Sequence, residues 1–174
     1  MSHFLNRAMS KCQSQLKEKA YKTTVRPKLE YCATIWDPHQ QKYVNKIEMV
    51  QRRAARFVKN VPHRHSGPQP SVSAMVEDLG WESLQERRHN NRITLLYKVT
   101  NGLVEVPTEY HPVPNTTRVS RSHSQQYVRH QTAVDSFKYS FLPRTICDWN
   151  KLPRTVVEAE SLDDLKKRLS SRQQ

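Results

Sequence analysis

Residues 45–60 read NKIEMVQRRAARFVKN, a run that sets Arg52, Arg53, Arg56 and Lys59 among Val50, Ala54, Phe57 and Val58. At about 100° per residue, Val44, Ile47, Val50, Ala54, Phe57 and Val58 gather on one side of a helix. Lys42, Lys46, Arg52, Arg53, Arg56 and Lys59 fall together on the rest, within an arc of about 140°. Soluble helix faces usually mix both signs, because acid–base pairs one turn apart stabilise them. Here Glu48, at the edge of the arc, is the only acid. The spacing predicts a helix running to about Asn60, with one face toward a core and the other facing a polyanion.

The whole chain supports that charge reading. Its 174 residues hold 29 Lys plus Arg against 16 Asp plus Glu, a net +13. The first 70 residues account for most of it, with 14 basic and 4 acidic side chains. Such a balance favours nucleic acid or an acidic membrane surface as partner. Hydrophobic residues make up 36% of the chain and recur periodically, which argues against wholesale disorder. No apolar run approaches the ~18 residues of a membrane span. The opening MSHFLNRAMSKC lacks the apolar core of a signal peptide. Cys12, Cys32 and Cys147 are odd in number and far apart, which points to a reducing nuclear or cytoplasmic setting and not to secretion.

Outward from the basic helix, Phe4 to Cys12 reads as a short helix. Ser14 to Asp37 reads as a longer one that Pro27 should kink or split. Asp37 and Pro38 look like an N-cap and first helical residue. Residues 60–70, NVPHRHSGPQP, hold three prolines and a glycine and mark a linker. Ser71 or Ser73 opens a short helix ending before Gly80. Ser83 and Glu86 form a capping box ahead of a helix closed at Asn101–Gly102. Leu103 to about Arg129 reads as loop with at most a short hairpin. A helix from Ser140 to Asn150 carries Pro143 in its first turn, and Ser161 and Asp164 open a last one lined by Leu162, Leu165 and Leu169. The expected organisation is mainly α: residues 1–60 a helical bundle, 61–70 a linker, and 71–174 a helical tail region with long loops.

Catalytic chemistry finds little support. His63 and His65 stand in the proline-rich loop with no neighbouring cysteine, so they read as a solvated basic loop and not as a metal site. The three cysteines fall on apolar helical faces, where cysteine behaves as a small buried hydrophobe. Three glycines in the entire chain leave no phosphate-cradling loop. Asp163–Asp164 is a pair in a helix first turn, followed by Lys166, Lys167 and Arg168, and reads as dipole complementation. Trp36, Trp81 and Trp149 lie among aliphatics at helical spacing and are expected to pack. No catalytic residue, metal or cofactor is expected.

Residues 20–38, AYKTTVRPKLEYCATIWDP, and 50–58, VQRRAARFV, resemble the region just past the polymerase palm in LINE-type, jockey-like non-LTR retrotransposon reverse transcriptases. LGWESLQERR at 79–88, LYKVTNGL at 96–103 and YSFLPRTICDWNKLP at 139–153 are similar to the tail of the same proteins, in the same order. The resemblance implies a thumb-like helical bundle, then the C-terminal extension of an RNA-directed DNA polymerase. It implies that Lys42, Lys46, Arg52, Arg53, Arg56 and Lys59 lie along the backbone of RNA or an RNA–DNA hybrid. The family's polymerase motif is an aromatic residue, a variable one and two aspartates that hold metal ions. This sequence has no such motif, and SLDDL at 161–165 lacks its aromatic. Two-metal phosphoryl transfer needs those carboxylates, so the expectation is a truncated fragment that binds nucleic acid without catalysis. The alternatives are an interaction module that docks on a missing palm domain, and an element remnant without function. No membrane partner is expected.

Overall fold

Proline 27 shapes the first part of the chain. It lacks an N–H, and in a regular α-helix its ring would press on the carbonyl of Thr23. The computed structural model, which describes residues 7–61, 71–116, 123–129, 131 and 133–172, shows how the helix accommodates it. Helix α1, Ser14–Ala20, widens into a π-helical turn at Tyr21–Val25, and α2, Arg26–Glu30, resumes with the proline in its first turn. A π-turn inserts one residue and shifts the hydrogen-bond ladder past the obstruction. The break comes later. Tyr31 leaves the helix for a turn, with ψ 124°, and Cys32 adopts φ 49° before the short α3, Ala33–Trp36. Cys32 is thus an exposed turn residue and not the buried hydrophobe expected of it. The expected Phe4–Cys12 helix begins outside the described residues, and from Met9 the chain is already a turn.

Asp37 is not the N-cap of the basic helix. That helix, α4, runs Gln41–Val58 behind Gln40. The Asp37 carboxylate instead accepts from Nε of Arg88 at 2.7 Å, with both side chains almost wholly buried. A buried guanidinium needs a counter-charge more than an exposed helix end needs a cap.

Mainly α is the architecture, and among the described residues no helix is long and apolar enough to cross a membrane. Contacts divide the chain into two units, Met1–Arg88 and His89–Gln174. The division expected at 61–70 is therefore displaced, because the residues after the linker complete the first core. Residues 62–70, with His63 and His65, lie outside the described residues. In unit one, α5, Val72–Asp78, packs on α4, and Met75 and Trp81 join Tyr21, Ala54, Ala55 and Val58 in the core. Trp81 stacks on Tyr21 at 4.6 Å between ring centroids and donates its indole N–H to Glu18 at 2.9 Å. At the centre of the α4 buried face sits a polar residue, Gln51, which takes the Tyr21 hydroxyl at 3.3 Å and donates to the Glu82 carbonyl at 2.9 Å.

Three helices end alike. After α4, Asn60 at φ 56° lets Val61 N–H reach back to the Arg56 carbonyl at 3.0 Å. After α5, Gly80 at φ 61° does the same for Trp81 and Val76. After α6, Leu84–Thr100, Gly102 at φ 66° serves Leu103 and Lys98. These are Schellman closures, which satisfy the last carbonyls and require a left-handed residue. At the helix starts, Ser83 Oγ accepts from Glu86 N–H at 3.0 Å and Ser161 Oγ from Asp164 N–H at 3.2 Å, as expected of capping residues.

Unit two gathers Ile93, Leu96 and Tyr97 of α6 with Trp149, Leu152, Val156, Val157, Leu165 and Leu169. Among the described residues its remaining α-helices are α7, Asp135–Lys138, α8, Phe141–Trp149, α9, Arg154–Val157, and α10, Leu162–Ser171, with a 3-10 turn at Thr108–Tyr110. The short hairpin reduces, among the described residues, to one antiparallel bridge between Pro114 and Tyr127. Asn150, just past α8, fastens that bridge. Its amide accepts from Tyr127 N–H at 3.0 Å and donates to the Tyr127 carbonyl at 2.8 Å, as a neighbouring strand would. Trp149 and Trp81 pack as expected. Trp36 does not: it is 41% exposed, its indole N–H held by the Tyr31 carbonyl at 2.6 Å.

Candidate nucleic-acid interface

Helix α4 presents the basic residues as a surface because its core contacts lie opposite. Val44, Gln51, Ala54, Ala55 and Val58 are buried, while Lys42, Lys46, Arg52 and Arg53 are exposed. The buried face is turned by about 50° from the purely apolar stripe, by helical arithmetic, so that Ile47, Val50 and Phe57 are only half-buried. Two of the six expected contacts differ from the rest. Arg56 is half-buried, and its Nε is enclosed without an acceptor. Lys59 forms an ion pair with Asp78 of α5.

Each of the four acids in the first 70 residues is committed elsewhere. Glu18 holds Lys22 at 2.6 Å and Trp81, and these bonds keep its carboxyl below the usual range. Glu30 grips Arg87 through both oxygens. Asp37 holds Arg88. Glu48, the one acid on α4, accepts from the backbone N–H of Gln85 at 2.7 Å and so caps the first turn of α6. A carboxylate at a helix N-terminus meets both free N–H groups and the positive end of the dipole. Lys42, Lys46, Arg52 and Arg53 consequently have no acidic partner among the described residues.

Two further exposed residues lie on or beside this face, and the sequence did not single them out. Tyr43 is 44% exposed, with the ammonium groups of Lys42 and Lys46 at 5.0 and 5.7 Å from its ring centroid. Met49, also exposed, lies within the basic arc with the Arg53 guanidinium 3.9 Å from its sulfur. Their signal was the helical wheel, on which Met49 falls among the cations, but apolar residues read more readily as core. Three large apolar side chains are also exposed within six consecutive positions: Tyr31 at 76%, Ile35 at 80% and Trp36 at 41%.

In unit two, several cations meet acids. Asp148 takes Arg92 at 2.8 Å and His89 at 3.4 Å, and Asp164 takes Arg168. Asp163 pairs with Lys166 at 3.4 Å, in keeping with a first-turn acid. Among the described residues no group of three or more His, Cys, Asp or Glu side chains is placed to hold a metal ion. No family model, curated protein or solved structure matches the chain.

Proposed function

We propose that this chain is the thumb-like and C-terminal region of a non-LTR retrotransposon reverse transcriptase, and that it binds nucleic acid backbone without polymerising. The exposed cations of α4 meet the strand, in the nucleus or cytoplasm. One observation carries this. The acids that would neutralise an ordinary solvated face are taken up by structural partners, Glu48 above all. An unpaired basic face on a folded helix is an electrostatic footprint for phosphates. The identity of the polymerase family rests on the sequence blocks, which span both units.

Salt titration tests the binding surface. Each phosphate contact contributes about −0.9 to the slope of log affinity against log salt on duplex DNA and about −0.7 on single strands. Arg52→Glu with Arg53→Glu, both exposed, flattens that slope by roughly two contacts' worth. Lys166→Glu with Lys167→Glu on α10 changes net charge equally and leaves the slope nearly intact. Equal losses from both pairs would reduce α4 to generic charge.

A second reading is favoured by Tyr31, Ile35 and Trp36, large apolar side chains left exposed within six consecutive positions. It makes unit one an interaction module that docks on a palm domain. Under it, Ile35→Lys abolishes docking while the α4 substitutions do not.

A further inference from the structure

We infer that the α4 surface takes unpaired nucleic acid, and that Tyr43 is a stacking platform for a base. The inference rests on the nucleic-acid reading above and names the class of strand. Backbone recognition alone uses cations. Yet Tyr43 and Met49 put a ring and a thioether beside and inside the basic arc, both exposed. In a duplex the base faces are stacked on one another and offer such groups nothing. In a single strand every base has a free face, and stacking on an aromatic side chain is the sequence-tolerant way to hold it.

The lysines fit the same purpose. Lys42 and Lys46 both lie toward the ring of Tyr43, and by helical arithmetic both fall on its basic-arc side, about 100° and 60° away. An exposed cation–π contact is weaker than a stacked base. A base arriving on the ring therefore displaces the ammonium groups, which reach the phosphates flanking that nucleotide. One aromatic with two cations is thus a site for a single nucleotide and its two neighbouring phosphates. Arg53 continues the track about two turns beyond Lys46 along the helix.

The test uses the full chain and three fluorescent probes of equal phosphate number: an oligothymidine of about 12 nucleotides, within the usual site sizes, an abasic oligomer of the same length, and a duplex. Tyr43→Ala lowers affinity for oligothymidine on the order of tenfold and changes affinity for the abasic oligomer and the duplex by less than about twofold. Tyr43→Phe keeps wild-type affinity on all three, and the salt slope stays the same in both variants. Melting of Tyr43→Ala matches wild type, since the side chain is exposed. Equal loss on all three probes, or no loss on oligothymidine, would overturn the inference. The double variant Arg52→Glu, Arg53→Glu separates the two levels. If it weakens every probe while Tyr43→Ala weakens none, only the stacking role falls. If it weakens none, the nucleic-acid reading falls and the inference with it.

Discussion

Asp37→Asn separates a helix cap from a buried ion pair. Asparagine caps as well as aspartate, so a capping residue would tolerate the change. As the partner of Arg88, whose side chain is 0% exposed against 5% for Asp37, it would not. Removing one member of a buried pair costs about 3–5 kcal/mol. The lower end applies here, because asparagine's carbonyl still accepts from Nε and because Glu48 and Glu30 attract Arg88 from further off. Nη1 and Nη2 of Arg88 are already enclosed without acceptors, so no other hydrogen bond replaces the one to the carboxylate. The expected loss is about 3 kcal/mol, or a fall in melting temperature of about 12–24 °C for a unit of this size. Far-UV circular dichroism during heating reads it. Asp37→Leu with Arg88→Met removes both charges and restores stability to wild type or above, as apolar replacements of buried pairs do. Asp37→Asn melting within about 4 °C of wild type would refute the buried-pair account.

Gly80→Ala costs roughly 1 kcal/mol, all of it from the left-handed backbone, since an added Cβ meets nothing within 4 Å; urea unfolding should show Gly80→Asn losing less, and a loss for alanine above about 3 kcal/mol would mean packing the structure does not contain. Burial raises the Asp148 carboxyl, but bonds from His89 and Arg92 outweigh it and hold the group below the usual carboxylate range. The stability this lends is present above that range and lost as pH falls through the lowered value, so the deficit of Asp148→Asn measured at neutral pH should shrink only in strong acid. A deficit that vanishes already above pH about 5 would contradict the assignment.

Local backbone chemistry was legible in the sequence, and long-range pairing was not. Gly80, Gly102, Ser83 and Ser161 act through their own conformation or through a bond three residues away. A cap therefore needs no knowledge of the rest of the fold. Asp37 and Arg88 stand 51 residues apart, and nothing near either one announces the other. Seen alone, Asp37 before Pro38 is an ordinary cap. Gln51 was missed for the same reason. Its place at the centre of a buried face depends on the Tyr21 hydroxyl and the Glu82 carbonyl, both far along the chain. The displacement of the unit boundary follows, because Met75 and Trp81 find their core across the proline-rich linker. Charge at the candidate surface was more legible, since lysine and arginine on the far side of a helix have few places to go but solvent. Arg56 and Lys59 are the exceptions that only the fold could reveal, the one half-buried and the other held by Asp78. The exposure of Tyr31, Ile35 and Trp36 was hidden behind their apolarity.

The most direct test of the central claim is protection of lysines from acetylation, read residue by residue by mass spectrometry with and without saturating single-stranded RNA. Lys17, buried at 2% exposure and bonded to the Ser10 carbonyl, should stay unmodified in both states and so reports that the fold is intact. Lys42 and Lys46 should react freely in the protein alone and be protected by RNA. Lys166 and Lys167, also exposed on α10, should react alike in both states. Protection spread evenly over the two pairs, or confined to Lys166 and Lys167, would contradict the account of α4 as the nucleic-acid surface.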